Sequence, residues 1–300
     1  MLPIKPHLWF DQDAKQAAEF YATLMPDSAV NYVNHFSMPG DECEVVEFTV
    51  AGQPFLGISA GHKLGINPSI SFMINFDPSR DPNAAKRIDE VWSKLVENGK
   101  VLMPLDSYPF SKRYGWVSDK YGVSWQLMLT NPSGEERPVI IPSLMFTEPM
   151  AGKADEAIDF YCSIFKDSKR GTTAPRPEDM GPDKAGTLMF ADFYIDKTWL
   201  AAMDSAHEHG FRFNDAVSLL IPCETQEEID YYWPALSAGG EAGQCGWLKD
   251  KYGVSWQVAS TVMLDALKNG SPEQIARVTQ TFMTMKKVDI KTLQRAYQGV

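Results

Sequence analysis

Polar side chains at matched positions are what this chain has to offer chemically. Gln126 and Gln257 each end a nearly identical run, with Ser124 and Ser255 two places before them. His7 sits in an apolar N-terminal segment between Pro6 and Leu8. An imidazole, two primary amides and several hydroxyls can hold a small ligand, and the imidazole can exchange a proton near neutrality. His207 and His209, in Asp204-Ser-Ala-His-Glu-His-Gly210, form the richest local histidine pair. Their spacing allows two-ligand metal binding, but a solvated loop is the reading taken. Asp119 and Asp250 each open an Asp-Lys-Tyr-Gly turn, with Asp first and Gly fourth, so turn formation already accounts for both. Nucleophilic catalysis lacks support, since there is no Gly-x-Ser-x-Gly elbow and no histidine adjoins Cys43, Cys162, Cys223 or Cys245. The stretches Gly57 to Gly65 and Gly171 to Gly186 have neither the spacing nor the alternating β-α context of a cofactor-binding glycine turn.

The elements that position these residues come from a duplication. Gly115-Trp-Val-Ser-Asp-Lys-Tyr-Gly-Val-Ser-Trp-Gln126 matches Gly246-Trp-Leu-Lys-Asp-Lys-Tyr-Gly-Val-Ser-Trp-Gln257 at ten of twelve positions. Other landmarks keep the same order: His7-Leu-Trp-Phe10 with Ser143-Leu-Met-Phe146, Glu19-Phe-Tyr21 with Asp159-Phe-Tyr161, and Ile70-Ser-Phe72 with Val217-Ser-Leu219. The join falls near Asn131 to Arg137, rich in Pro, Ser, Gly and charge. Hydrophobic periodicity predicts β-α-β-β-β twice per copy. The first helix runs from about 13 to 25, a second starts at Asp81-Pro82, and Thr225-x-x-Glu228 forms a capping box in the second copy. The predicted units are 1–133, 137–262 and a helical extension, 263–300. In the extension, helices start at Ser271 and Asp289. They are expected to pack on the repeats or form a homodimer contact, with a lid over a pocket as the alternative.

Alternation along the strands sorts the faces. Val123, Trp125 and Leu127 share one side, with Ser124 and Gln126 on the other; Val254, Trp256 and Val258 oppose Ser255 and Gln257. The tryptophans therefore belong to the helix side and the polar residues to the inside of any cup. On the first strand, Lys5, His7 and Trp9 face away from Ile4, Leu8 and Phe10.

Paired β-α-β-β-β modules with an Asp-x-x-Gly turn before the last strand resemble the vicinal oxygen chelate (glyoxalase/bleomycin-resistance/dioxygenase) superfamily. Phe213-Asn-Asp-Ala-Val-Ser218, Glu228-Ile-Asp-Tyr-Tyr-Trp233 and Cys245 to Gln257 narrow the resemblance to its PhnB-like branch, labelled 3-demethylubiquinone-9 3-methyltransferase-like. It covers residues 3 to 260 or so and implies an α+β fold: tandem glyoxalase-like domains, each of two βαβββ modules in a curved mixed sheet with flanking helices. Metal-using relatives carry ligands on first and last strands. Position by position, this sequence offers His7, Gln126, Ser143 and Gln257, with Ser71 and Ser218 at the fifth-strand site. No metal or other cofactor is expected from that set; a divalent ion, if held, would use His7, Gln126 and Gln257. The expected function is binding of a small molecule in a polar-lined cup by His7, Trp9, Ser71, Ser124, Gln126, Ser143, Ser218, Ser255 and Gln257. A metal-dependent lyase, isomerase or dioxygenase and a noncatalytic interaction module are the alternatives, and methyl transfer is not expected.

Composition bounds the rest. A net charge of −11 with no basic stripe argues against nucleic acid, and no apolar run reaches membrane-spanning length. Pro3, Lys5, Pro6 and His7 interrupt any secretory core near the N-terminus, and the scattered cysteines suit a reduced, cytoplasmic protein.

Overall fold

A computed structural model of the chain describes residues 2–38, 41–61, 64–131 and 135–300. The four predicted modules are present. The first holds β1 (Lys5–Phe10), α1 (Ala14–Tyr21), β2 (Ala29–Met38), β3 (Asp41–Val50) and β4 (Gln53–Ser59). The second holds β5 (Ile70–Phe76), α2 (Ala84–Leu95), β6 (Lys100–Tyr108), β7 (Ser111–Ser118) and β8 (Ser124–Leu129). The second copy repeats this with β9 (Ile140–Phe146), α3 (Ala154–Ile164), β10 (Ser168–Pro175), β11 (Leu188–Ile195) and β12 (Thr198–Asp204). Its last module is β13 (Val217–Cys223), α4 (Gln226–Ser237), β14 (Glu241–Ala242), β15 (Trp247–Lys249) and β16 (Ser255–Ser260). The join predicted at Asn131 to Arg137 includes residues 132–134, which lie outside the described residues.

Local signals act largely as read. Thr225 and Glu228 form both bonds of the capping box on α4. The Asp81 carboxylate accepts from the Asn83 amide at 2.9 Å, but the helix itself begins two residues after Pro82, at Ala84. The extension holds three helices rather than the two predicted: α5 (Thr261–Asn269), α6 (Pro272–Met283) and α7 (Ile290–Gln298). The additional helix was hidden because Ser260, the last strand residue, is also its cap, accepting from the Val262 amide. Among the described residues, no helix is long and apolar enough to cross a membrane.

Each sheet is built from two modules, and those modules come from different copies. Sheet A has the order β14-β15-β16-β13-β1-β4-β3-β2, joining the first module to the last; sheet B has the order β10-β11-β12-β9-β5-β8-β7-β6, joining the middle two. The seams are antiparallel, β1 on β13 and β5 on β9, with parallel pairs beside them.

Within a copy, the repeated signature ties one sheet to the other. Tyr21 of α1 donates to Asp119 Oδ2 at 2.8 Å, as does the Trp125 indole, and the Tyr121 and Val123 amides donate to Oδ1. Tyr161 and Trp256 do the same to Asp250 Oδ2 at 2.7 and 2.9 Å, with the Tyr252 and Val254 amides on Oδ1. Burial pushes Asp119 up to about 6 against these four donors, and Asp250 is raised for the same reason. Both acids are therefore buried structural acceptors. Trp125 and Trp256 are fully buried on the helix side, as alternation predicts.

Candidate functional site

Strand pairing puts four equivalent positions on each cup floor. In sheet A, His7 is paired with Leu56 on β4 and with Ser218 on β13, and Gln257 Nε2 donates to Ser218 Oγ at 2.9 Å. In sheet B, Ser143 is paired with Ala201 on β12 and Ser71 on β5, and Gln126 Nε2 donates to Ser71 Oγ at 2.7 Å. The nine predicted site residues are thus divided. His7, Trp9, Ser218, Ser255 and Gln257 belong to sheet A, while Ser71, Ser124, Gln126 and Ser143 belong to sheet B.

Sheet B closes on its own side chains. The Tyr114 hydroxyl donates to Gln126 Oε1 at 2.7 Å, and the Trp116 indole donates to Ser124 Oγ at 2.7 Å. Met73, Ile141 and Ala201 pack with Met128, Phe190 and Trp199 across the cup. The Arg137 guanidinium lies 3.6 Å from the Trp199 ring centroid and pairs with Asp192. A cleft of about 740 Å³ borders this cup but does not reach Ser71, Ser124, Gln126 or Ser143. Its arginines are engaged by carboxylates: Arg80 by Asp77 and Glu136, Arg87 by Asp81, and Arg137 by Asp192.

Sheet A borders a partly open chamber of about 560 Å³. His7, Trp9, Ser255 and Gln257 contribute to its floor, Phe36 and Trp247 to its walls, and Met263, Leu267, Thr279 and Phe282 to a roof made by α5 and α6. The edge strand explains the space. β7 continues past Gly115 to carry Tyr114, but β15 starts only at Trp247, because Cys245 and Gly246 take φ of 57° and 74°. Among the described residues, no side chain then donates to Gln257 as Tyr114 does to Gln126. The amides of Cys245 and Gly246 instead donate to the Met285 and Lys286 carbonyls, at 2.7 and 2.8 Å, which anchors the extension beside the opening. Asn34 Nδ2 holds the roof from β2 through the Leu267 carbonyl at 2.7 Å. The extension thus packs on the repeats, with side chains of α5 and α6 bordering the pocket. The expectation of a polar-lined cup is corrected, because most side chains around the chamber are apolar. The floor hydroxyls are spent on neighbours: Ser218 accepts from Gln257, and Ser255 donates to Asp215 at 2.7 Å.

Burial lowers the His7 imidazole to about 3, so it is neutral at physiological pH. Its Nδ1 and the Trp9 indole nitrogen are buried without a hydrogen-bond partner. His7 meets Trp247 edge-on at 5.6 Å. The cation on the rim, Lys249, is paired with Asp215 at 3.2 Å.

The floor does not fit a divalent metal. It offers one imidazole, one amide and one hydroxyl already in use, with Leu56 at the fourth position and no carboxylate to offset a buried dication. The contingent set His7, Gln126 and Gln257 is not brought together, because Gln126 belongs to the other sheet. His207 and His209 also fail to converge. His207 lies 3.6 Å from Asp183, which pairs with Arg176, and His209 bonds Ser205. Among the described residues, no group of three or more His, Cys, Asp and Glu is placed to hold a metal ion.

Sequence reasoning missed Leu56, Trp247 and the roof residues. Trp247 had the available signal of sharing the cup side with Gln257, its cross-strand partner. Leu56 carried none, since it becomes a floor residue only through pairing with β1.

The family model for 3-demethylubiquinone-9 3-methyltransferase matches residues 3–128 and again 138–259. No curated protein matches. Among solved structures, a PhnB protein from Bacillus cereus with the same methyltransferase designation is 36% identical over 43% of this chain and 100% of its own, with a TM-score of 0.39. Glyoxalase I from Zea mays is 13% identical, covering 85% of this chain and 91% of its own, with a TM-score of 0.54; it shares the fold.

Proposed function

The chain belongs to the 3-demethylubiquinone-9 3-methyltransferase family and has the tandem vicinal oxygen chelate fold, and on that premise we propose that it binds a small, largely apolar molecule in the sheet A chamber. The observation that carries this reading is the cavity of about 560 Å³ over His7 and Gln257, a size suited to a small organic ligand. The lining is mainly aromatic, aliphatic and thioether, with a few fixed polar groups, as in many small-molecule sites. The methyl-transfer wording of the family name contributes nothing to this proposal. Methyl donors of the doubly wound kind sit on a glycine turn between a parallel strand and a helix. Here Gly57 lies within β4 and packs against Val46, Phe10 and Ala14, while Gly171 lies within β10.

Titration with the neutral, environment-sensitive dye Nile red tests the proposal. Ala259 is buried and lines the chamber, so Ala259→Phe adds volume at the cavity. One dye site is expected, weakened at least about tenfold by Ala259→Phe and unchanged by Tyr114→Phe in the closed cup. Absence of dye binding, or equal binding to the filled variant, overturns the reading.

A further inference from the structure

The sheet B cup shows how the fold satisfies a floor glutamine at both ends. There Gln126 Nε2 donates to Ser71 while its Oε1 accepts the Tyr114 hydroxyl. In sheet A, Gln257 Nε2 donates to Ser218 in the same way, but among the described residues nothing donates to its Oε1. Tyr114 precedes Gly115 as Cys245 precedes Gly246, so Cys245 holds the corresponding place. Its thiol is turned to the Phe282 carbonyl, 3.7 Å away, and leaves the amide oxygen alone. Gln257 is only 7% exposed and lines the chamber. Its Oε1 is not sealed in protein, in contrast to His7 Nδ1, Trp9 Nε1 and Thr279 Oγ1, which are buried without partners. A nearly buried acceptor on the border of a cavity is left for the occupant of that cavity to satisfy.

An amide oxygen only accepts, so the occupant must bring an O–H or N–H. Charge separates the two. The floor beside Gln257 consists of the neutral His7, Leu56 and Ser218, with no carboxylate. An ammonium head set there would lose its hydration with no counter-charge, which desolvation strongly opposes. The carboxylates of the chamber stand at its edge. Asp215 is paired with Lys249 and receives the Ser255 hydroxyl. Glu241 has no ion-pair partner among the described residues, but it is exposed on the outermost strand, β14. Pairing runs from Glu241 to Lys249 and from Lys249 to Ser255, two residues before Gln257. The Glu241 backbone is therefore two strands and two residues from Gln257, on the order of 10 Å away. Glu241 belongs to the rim and the neutral amide to the floor. The sheet B cup supplies the remaining choice, since the group that meets the equivalent amide there is an uncharged hydroxyl.

Resting on the reading that this chamber is a binding site, we propose that its ligand is an apolar molecule carrying an uncharged hydroxyl, which donates to Gln257 Oε1 as Tyr114 donates to Gln126. Three probes built on one apolar cage separate the possibilities by calorimetry. Adamantanol donates, adamantanone only accepts, and adamantylammonium donates but is charged. Adamantanol is expected to bind at least about tenfold more tightly than either of the others, because an unmet acceptor selects against a ligand that cannot satisfy it. Gln257→Met keeps the length of the side chain and removes the amide oxygen, and it is expected to bring adamantanol within about twofold of adamantanone. Tyr114→Phe, in the other cup, is expected to leave the preference as it was. Should Gln257→Met fold poorly, the ranking of the three probes on the unaltered protein decides alone. Absence of adamantanol binding, equal or tighter binding of adamantanone or adamantylammonium, or a preference that survives Gln257→Met overturns the ligand class. If Nile red binds in the chamber under any of those outcomes, the binding-site reading stands without it. If neither Nile red nor any adamantane probe binds, both fall.

Discussion

The two cups are built from the same parts and end in different states. On the floor, His7, Leu56, Ser218 and Gln257 in sheet A correspond to Ser143, Ala201, Ser71 and Gln126 in sheet B. Both glutamines donate to a serine. In sheet B the other end of the amide is also capped, by Tyr114, and hydrophobic side chains lie between that floor and the neighbouring cleft. In sheet A two left-handed residues cut the edge strand short, and a helical roof stands over the space that results. The difference teaches that a fold can hold an identical hydrogen bond at the floor of two cups and still leave that floor open to a pocket in only one of them. What decides is the edge strand, some distance in sequence from the floor.

The largest expected effect tests what the copies share. Asp119→Ala and Asp250→Ala each strand a tyrosine hydroxyl, an indole N–H and two amides, and each is expected to cost about 3 kcal/mol in urea unfolding. A loss in one variant several times that in the other would show that the two buried locks are not equivalent. The next effect addresses the floor. The unfolded chain takes up a proton at His7 below pH 6.5, whereas the folded chain does not until about 3. Stability is therefore lost as pH falls across that window, and at this residue the loss reaches about 3 kcal/mol by pH 4. His7→Ser, which copies the sheet B floor, is expected to unfold less readily on acidification from pH 7 to pH 4 than the unaltered protein; identical pH profiles would show that the imidazole is not desolvated. The smallest effect concerns closure. Tyr114→Phe leaves Gln126 Oε1 without its donor and is expected to cost about 1 kcal/mol in thermal or urea unfolding. A cost near zero would mean that the capping bond contributes nothing to keeping sheet B shut.

Much of the scaffold was legible in the sequence, because its signals are local. The twelve-residue repeat, the capping box at Thr225 and the burial of Trp125 and Trp256 all follow from spacing and alternation. What stayed hidden depends on distant pairings. Asp119 reads as a turn residue, which it is, but its bond to Tyr21 spans 98 positions. The division of the polar residues between two sheets follows from β1 meeting β13, and strand periodicity carries no information about which partner a strand will choose. Serines and glutamines on a cup face can line a wet pocket or satisfy one another. Only the packing shows that Ser71 and Gln126 do the latter. The helix starting at Thr261 was missed for a local reason, since its cap is the last residue of a strand.

The exchange of modules between copies has an evolutionary consequence. Two separate single-copy chains swapping modules in this way would form a twofold-symmetric pair, and symmetry would oblige both cups to carry the same residues. Any improvement in one would be imposed on the other, along with any damage. Joining the copies in one polypeptide lifts that obligation: His7 changes one cup while Ser143 is left to vary in the other, and a single roof serves a single chamber. The closed cup can then be selected for solidity and the open one for its contents, so that the halves of a former equal partnership take up separate trades.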